Sequence, residues 1–369
     1  MKILKTVLTL FLFCSFFCSL GQQPLFEQDK ATILSEDNQP TAYIDTIFKG
    51  KRCLKLDSKK QSIALTKAVE AKNFRVEMDI AGAVMSGLGF HVASEHNYQF
   101  IYFRPGMGGT REAIQYIPIY NGALSWVFYN YPTYEKEADI ESLEWFHAAF
   151  EVQGNRLKVF VDHSPEPQMD IRLLDKEIGG PHLLLRSMFG PSYFANITYR
   201  ALPEEAPSAA KLPSTSFLRA WEVSTQFPRD TTSGHLPNKL DAKVMSGAWR
   251  PVLEPDDVFV NLSRYFEKPT GVVMARTQIN AERAQRKTLY FDFVGKVRVL
   301  LNGEEVFSYG KIKFERMFDG MFRTTLDLKK GSNELLFMAE GDAAFFGEGF
   351  KTMGRLQHTN WGFIARIGD

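Results

Sequence analysis

The sequence predicts an all-β fold: two β-sandwich (jelly-roll) domains in tandem. Three observations carry that prediction. Apolar residues alternate with polar ones through short runs. Gly, Asn, Asp and Pro separate those runs at even spacing. No long stretch repeats its apolar residues with the 3.6-residue period of an amphipathic helix. Aromatic residues make up 13% of the chain and Phe alone counts 31, which suits strands that pack rings between sheets.

The chain opens with Lys2 and Lys5, followed by an apolar run from Val7 to Leu20. Ser19 and Gly21 are small residues suited to cleavage before Gln22. This is the layout of a secretion signal over residues 1–21. The run is shorter than the roughly 20 residues that span a bilayer, and no other segment is long and apolar enough, so an exported protein in the periplasm or outside the cell is expected. Cys14 and Cys18 lie in that segment behind Phe13 and Phe17, not behind the small residue of a lipoprotein signal. Only Cys53 remains, so no internal disulfide can form, and Cys53 in "RCLKLD" reads as a small buried hydrophobe.

A first domain is expected over residues 22–200. In "FRVEMDI", Phe74, Val76, Met78 and Ile80 share one face and Arg75, Glu77 and Asp79 the other, a strand with one buried side. "NYQFIYF" is a dense aromatic strand, and "AAFEVQGNRLKVFVDH" reads as two strands around Gly154-Asn155. The stretch "ALPEEAPSAAKLPSTS", residues 201–216, has three prolines and no apolar periodicity and reads as a linker. A second domain follows over 217–369. There "LYFDFVGKVRVLLNGEEVF" reads as three strands, and "LDLKKGSNELLFMA" as two around Gly331-Ser332-Asn333. Asn302-Gly303 signals a type I′ hairpin with Leu301 opposite Glu304 and Val299 opposite Val306.

A formal net charge of +1 gives no basic field for nucleic acid. No Gly-x-Ser-x-Gly elbow, phosphate loop, dinucleotide fingerprint or zinc-binding histidine pattern is present. Asn196-Ile-Thr and Asn261-Leu-Ser fit the glycosylation pattern. Glu137, Asp139 and Glu141 cluster in a loop where Ca2+ is a conceivable ligand, as is plain solvation. Glu77 and Asp79 put two carboxylates on one strand face, as a glycosidase requires, and a solvated strand face has the same pattern. The densest functional signal runs from Asn97 to Asn130. Its ligand-binding candidates are Tyr98, Tyr102, Arg104, Gln115, Tyr116, Asn121 and Trp126, with His91 just before them. Rings stack on the apolar faces of pyranoses while Arg, Gln and Asn reach hydroxyls, so the cluster suits a carbohydrate; a Tyr-rich core would look the same.

The first domain resembles the concanavalin A-like/laminin-G-like sandwiches. The residues are "SGLGFHVAS", "NYQFIYFRPG", "IQYIPIYNG…SW", "EWFHAAFEVQGNRLKVFVDH" and "SYFANITYR". That resemblance implies a twisted two-sheet sandwich, sometimes with bound calcium, in proteins of the 3-keto-disaccharide hydrolase type or lectin-like ones. Laminarinase-like glycoside hydrolases of this fold carry a second Glu four or five residues after the first; here Ala81 and Gly82 stand there, so the acid is missing. The second domain resembles a galactose-binding-like jelly roll, on "WEVSTQF", "VNLSRYF", "VVMARTQI", "KVRVLLNGEEVF", "LKKGSNELLFMA" and "WGFIARI". The combined expectation is an exported glycan-binding protein without a catalytic motif. A disaccharide- or polysaccharide-processing enzyme and an adhesive surface protein are the alternatives. Oligomeric state is left open.

Overall fold

The computed structural model describes residues 25–34, 39–57, 61–69, 72–130, 132–174, 179–204, 216–228, 247–252, 258–267, 271–341 and 361–368. Segment 1–21, with the expected signal, lies outside them, as does 205–215 of the expected linker. The described chain is all-β, with antiparallel sheets and, beyond strands and loops, only single 3-10 turns at Pro105–Met107 and Leu262–Arg264. No helix among the described residues is long and apolar enough to cross a membrane.

Two sheets face each other in the first half. One runs in the order Ala31–Leu34, Gln61–Thr66, His182–Met188, Met85–Ser94, Asn97–Phe103, Ile114–Tyr120, Glu135–Lys136, with Ala123–Leu124 beside Ile114–Tyr120. The other runs Met169–Arg172, Arg156–Val161, Phe146–Gln153, Phe74–Gly82, Ser192–Ala201, Lys51–Leu56, Ile44–Phe48. The alternation in "FRVEMDI" decides which face turns inward: Phe74, Val76, Met78 and Ile80 are buried. Rings from the two sheets meet between the layers, Phe103 with Phe146 and Phe150, and Phe74 with Phe90. Cys53 is buried, as expected of a small hydrophobe. The turn at Gly154, with φ +57, joins Phe146–Gln153 to Arg156–Val161 as the sequence predicts.

Among the described residues, the second half is a nine-stranded arrangement built on one long strand, Gln285–Leu301. Its first part pairs with Phe322–Leu328 and Gly362–Gly368, its last part with Glu304–Lys313 and Gly331–Gly341. The strand passes from one set of partners to the other at Gly295, where φ is +92 and the register shifts. The expected three strands of "LYFDFVGKVRVLLNGEEVF" are therefore two: Gly295 bends the chain without ending it. Trp221, Phe337 and Phe363 pack together in this second core.

Asn302 and Gly303, at φ +51 and +84, make the expected hairpin turn, with Leu301 opposite Glu304. Val299, however, faces Phe307 and not Val306, because a bulge intervenes. The bulge points Phe307 into the core, where its ring meets Phe291 at 4.8 Å. Two strands flank the next turn as expected, but the break falls at Lys329-Lys330: Phe322–Leu328 ends before it, and Gly331–Gly341 begins at Gly331 and pairs with Gly271–Ala281 and Gln285–Leu301.

On the eight-stranded sheet, Gly87 and Gly89 sit on the face turned away from the other sheet. A Cβ on Gly87 would lie 2.3 Å from the Ile101 carbonyl and 2.7 Å from Cβ of Tyr102; one on Gly89 would strike Leu184 and Tyr98. The missing side chains leave room for the Tyr98, Phe100 and Tyr102 rings. Gly87→Val is expected to cost about 1–3 kcal/mol through overpacking. A urea titration followed by near-ultraviolet circular dichroism reads that cost; an unchanged midpoint would mean the face has slack.

Candidate functional site

The outer face of the eight-stranded sheet carries Tyr98, Phe100 and Tyr102, and pairing sets Gln115 opposite Tyr102. Most of this face is closed. The Arg186 guanidinium lies 5.3 Å from the Phe100 ring centroid and donates to the Tyr98 hydroxyl, and all three residues are buried. At the Tyr102 end the face opens into a cavity of about 270 Å³, lined among the described residues by Val84, Met85, Tyr102, Arg104, Gln115, Leu124, Trp126 and Phe189.

Four of the eight candidates thus come together: Tyr102, Arg104, Gln115 and Trp126. Gln115 is an anchor there, not a free donor. Its Oε1 accepts from the Tyr102 hydroxyl, and its Nε2 donates to the carbonyls of Trp126 at 3.2 Å and Tyr129 at 3.1 Å, fixing the loop that carries Trp126. Burial, first of all, pushes the Tyr102 hydroxyl far above its usual range. Arg104 follows the strand and is paired through Nη1 with Glu112.

The other four lie elsewhere, and each has a local reason. Tyr98 is buried under Arg186. Tyr116 points to the opposite face, where its hydroxyl bonds Gln99 and accepts from the Leu174 amide at 3.1 Å. His91 sits at φ +49 beside Phe74 and Phe90, where burial pushes its pKa down. Asn121, with φ +50 before Gly122, is a hairpin-turn residue like Asn302; its amide donates to the Ser263 carbonyl at 2.9 Å. The Asn-Gly dipeptide was a signal for that turn in the sequence. Val84, Met85, Leu124 and Phe189 carried no comparable signal.

The cavity wall depends on the second half of the chain. Arg316 lies 5.0 Å over the Trp126 ring, 2.6 Å from a Glu135 carboxyl oxygen and 3.1 Å from Glu112, and donates to Oδ1 of Asn130 at 2.7 Å. The Met317 amide donates to the Val127 carbonyl at 2.9 Å, and Asn130 Nδ2 to the Met317 carbonyl at 2.7 Å. Phe314 meets Trp126 edge-on at 6.2 Å.

Glu77 and Asp79 lie on the exposed side of the other sheet, away from this cavity. Asp79 Oδ2 accepts from Lys51 at 2.7 Å and Asn196 at 2.6 Å, and its Oδ1 is 2.9 Å from His147 Nδ1. Burial pushes Asp79 up, but these partners more than offset it and hold the carboxyl below its usual value. For Glu77 the same balance, with Arg75 and His147 as partners, also ends low. A general acid needs a raised pKa, so neither residue is poised for that role. Glu137, Asp139 and Glu141 are all exposed, and no group of three His, Cys, Asp or Glu among the described residues is placed to hold a metal. Asn261 is buried and its amide donates to the Tyr129 hydroxyl, so that sequon is closed to modification.

A larger cavity of about 510 Å³ is lined by Tyr43, Asp45, Arg52, Cys53 and Asn196 among others. Several of its polar groups are already paired: Arg52 with Asp45, the Tyr43 hydroxyl with the Phe26 carbonyl, and Asn196 with Asp79 behind the wall.

No family model matches the chain, and no curated protein matches it. Solved structures similar to it include a carbohydrate binding module, CBM66, from Bacillus subtilis, at 18% identity over 48% of this chain and 99% of that one, with a TM-score of 0.37. A putative glycosyl hydrolase from Parabacteroides distasonis matches at 14% identity over 49% and 100%, with a TM-score of 0.33. The exoplasmic/lumenal domain of VIP36 in its Ca2+/Man3GlcNAc-bound form matches at 15% over 48% and 93%, with a TM-score of 0.32. At those scores the likenesses carry no argument about this chain.

Two outcomes are expected. Arg316→Ala removes the cation beside buried Glu135 and should destabilise by about 3 kcal/mol; adding Glu135→Gln should recover part of it in a double-mutant cycle of thermal melts. Asp79 contributes stability while ionised, above its usual value of 3.8, and loses it as pH falls through its lowered folded-state value. Asp79→Asn should therefore cost about 2 kcal/mol at neutral pH. It should also flatten the fall in stability below about pH 4, read by urea titrations at several pH values.

Proposed function

We propose that this chain is an exported carbohydrate-binding protein whose ligand site is the cavity at the Tyr102 end of the eight-stranded sheet. The observation that supports it is the meeting there of Trp126, Tyr102 and Arg104 around a space of about 270 Å³. Small-molecule sites begin near 300 Å³, so a cavity at the lower end of that range suits a single sugar unit at the end or a branch of a glycan. An aromatic wall removes the apolar face of a pyranose from water, and a guanidinium offers several donors in a fixed plane. Export rests on the layout of residues 1–21, and the division into units 22–200 and 217–369 joined by 201–216 belongs to the same reading.

The reading as a glycosidase gains less. The carboxylates singled out for acid–base work are held low and occupied by cations on the far side of the sandwich.

The test is titration calorimetry of the chain from Gln22 with hits from a glycan array, with product release followed in the same samples. Trp126→Ala and Arg104→Ala should each weaken binding at least about tenfold, near 1.4 kcal/mol. Glu77→Gln should leave binding unchanged. Retention of full affinity by both cavity variants would remove the assignment, and turnover lost with Glu77→Gln would replace it with the enzyme.

A further inference from the structure

We infer that the cavity takes a sugar unit bearing a neutral acyl substituent, such as an acetamido group. The substituent's carbonyl oxygen would accept from Arg104, and its methyl group would lie against Met85, Leu124 and Phe189. The inference rests on the glycan reading of the cavity and adds the chemistry of the ligand.

The first support is a count of polar capacity. Gln115 has both amide protons and its carbonyl oxygen in use, and the Tyr102 proton is given to Gln115. Arg104 is bonded through Nη1 to Glu112 and has further N–H groups, and Trp126 adds its indole N–H, so what the described lining side chains offer is mainly donors. A buried hydroxyl needs both to donate and to accept, and a hydroxyl-rich ring edge pushed into this space would leave groups unpaired. An acyl carbonyl only accepts, which is what a guanidinium with spare N–H groups satisfies, and the N–H of an acetamido group, next to the ring, would stay at the open mouth in water.

The second support is the apolar remainder. Val84, Met85, Leu124, Trp126 and Phe189 make up most of the described lining. A pyranose can lay its apolar face on the Trp126 ring, but an acyl methyl supplies a group for Met85, Leu124 and Phe189 as well, and small apolar groups in fitted pockets discriminate about tenfold or more.

The third support is charge. Arg104 and Arg316 both reach Glu112, and Arg316 also reaches Glu135, so two guanidinium groups stand against two carboxyls. Burial raises the Glu112 pKa, but Arg316 and Arg104 more than offset it, and the carboxyl stays charged at neutral pH. An anionic substituent would be desolvated against a set of no net charge, which disfavours a uronate or sulfate.

The experiment is calorimetry on the chain from Gln22 with nine methyl glycosides. In the gluco, galacto and manno series these are the N-acetylhexosaminide, the parent hexoside and the uronide. The expected result is binding of an N-acetylhexosaminide at least about tenfold tighter than its parent and its uronide. Arg104→Ala should remove that preference, and Glu112→Gln, which uncovers the Arg104 charge, should shift it toward the uronide. A parent hexoside binding as well as its N-acetyl form would overturn the acyl inference and leave the glycan reading standing. A uronide binding best to the unsubstituted chain would overturn it in favour of an anion site. No binding of any of the nine, nor of any array glycan, would overturn both.

Discussion

The arrangement turns on one cation. Arg316 comes from the segment between Glu304–Lys313 and Phe322–Leu328, yet its partners belong to the first half: Glu112, Asn130, Glu135 and the ring of Trp126. A guanidinium can serve all of them at once because its donors lie in one plane while its face stacks on an aromatic ring. Taking such a charge out of water is costly unless the acceptors are already in position. Asn130 and Val127 supply that order across the same junction: the Asn130 side-chain amide donates to the Met317 carbonyl, and the Met317 N–H donates to the Val127 carbonyl. The loop carrying Trp126 is consequently held from two sides, by Gln115 within the sheet and by Arg316 from beyond it. Cavity shape and junction packing are thereby one structural problem.

The outer face of the eight-stranded sheet shows how an aromatic row can be made and then mostly closed. Glycines at 87 and 89 remove side chains where the rings of the neighbouring strand must lie. Arg186 then covers Tyr98 and Phe100, with cation–π contact replacing part of its lost hydration. Only the Tyr102 end stays open. Position along the strand, not residue type, separates the rings that line a cavity from those that fill a core.

The far side of the sandwich holds a polar cluster centred on Asp79 and His147. Asp162, His163 and Asn196 all adopt positive φ, and all three converge on the Asp79–His147 pair. Asn196 donates to Asp79, Asp162 accepts from the His147 amide, and His163 stacks on His147 at 3.9 Å. Such conformations persist where the surroundings over-determine them. Here Lys51, Asn196 and His147 all bond the Asp79 carboxylate, so the cluster ties strands together.

Alternation in "FRVEMDI", the turn at Gly154, the Asn302-Gly303 hairpin and the all-β class were readable from the sequence, because strand periodicity and turn chemistry are local. So were four of the residues that meet at the cavity, since their types suit a sugar. Tertiary structure decided the rest. Gly295 bends one strand where punctuation suggested two, because whether a glycine bends or ends a strand depends on the partners waiting on either side. Tyr98 and Tyr116 were the same kind of residue as Tyr102 in the sequence and became core, since a ring's fate depends on what covers it. Val84, Met85 and Phe189 entered the cavity, and Arg316 its frame, from outside the stretch Asn97 to Asn130, and Leu124 entered from within it without a ring or charge to mark it. No local pattern records such contacts; they exist only once sheets have packed and a distant cation has found its acceptors.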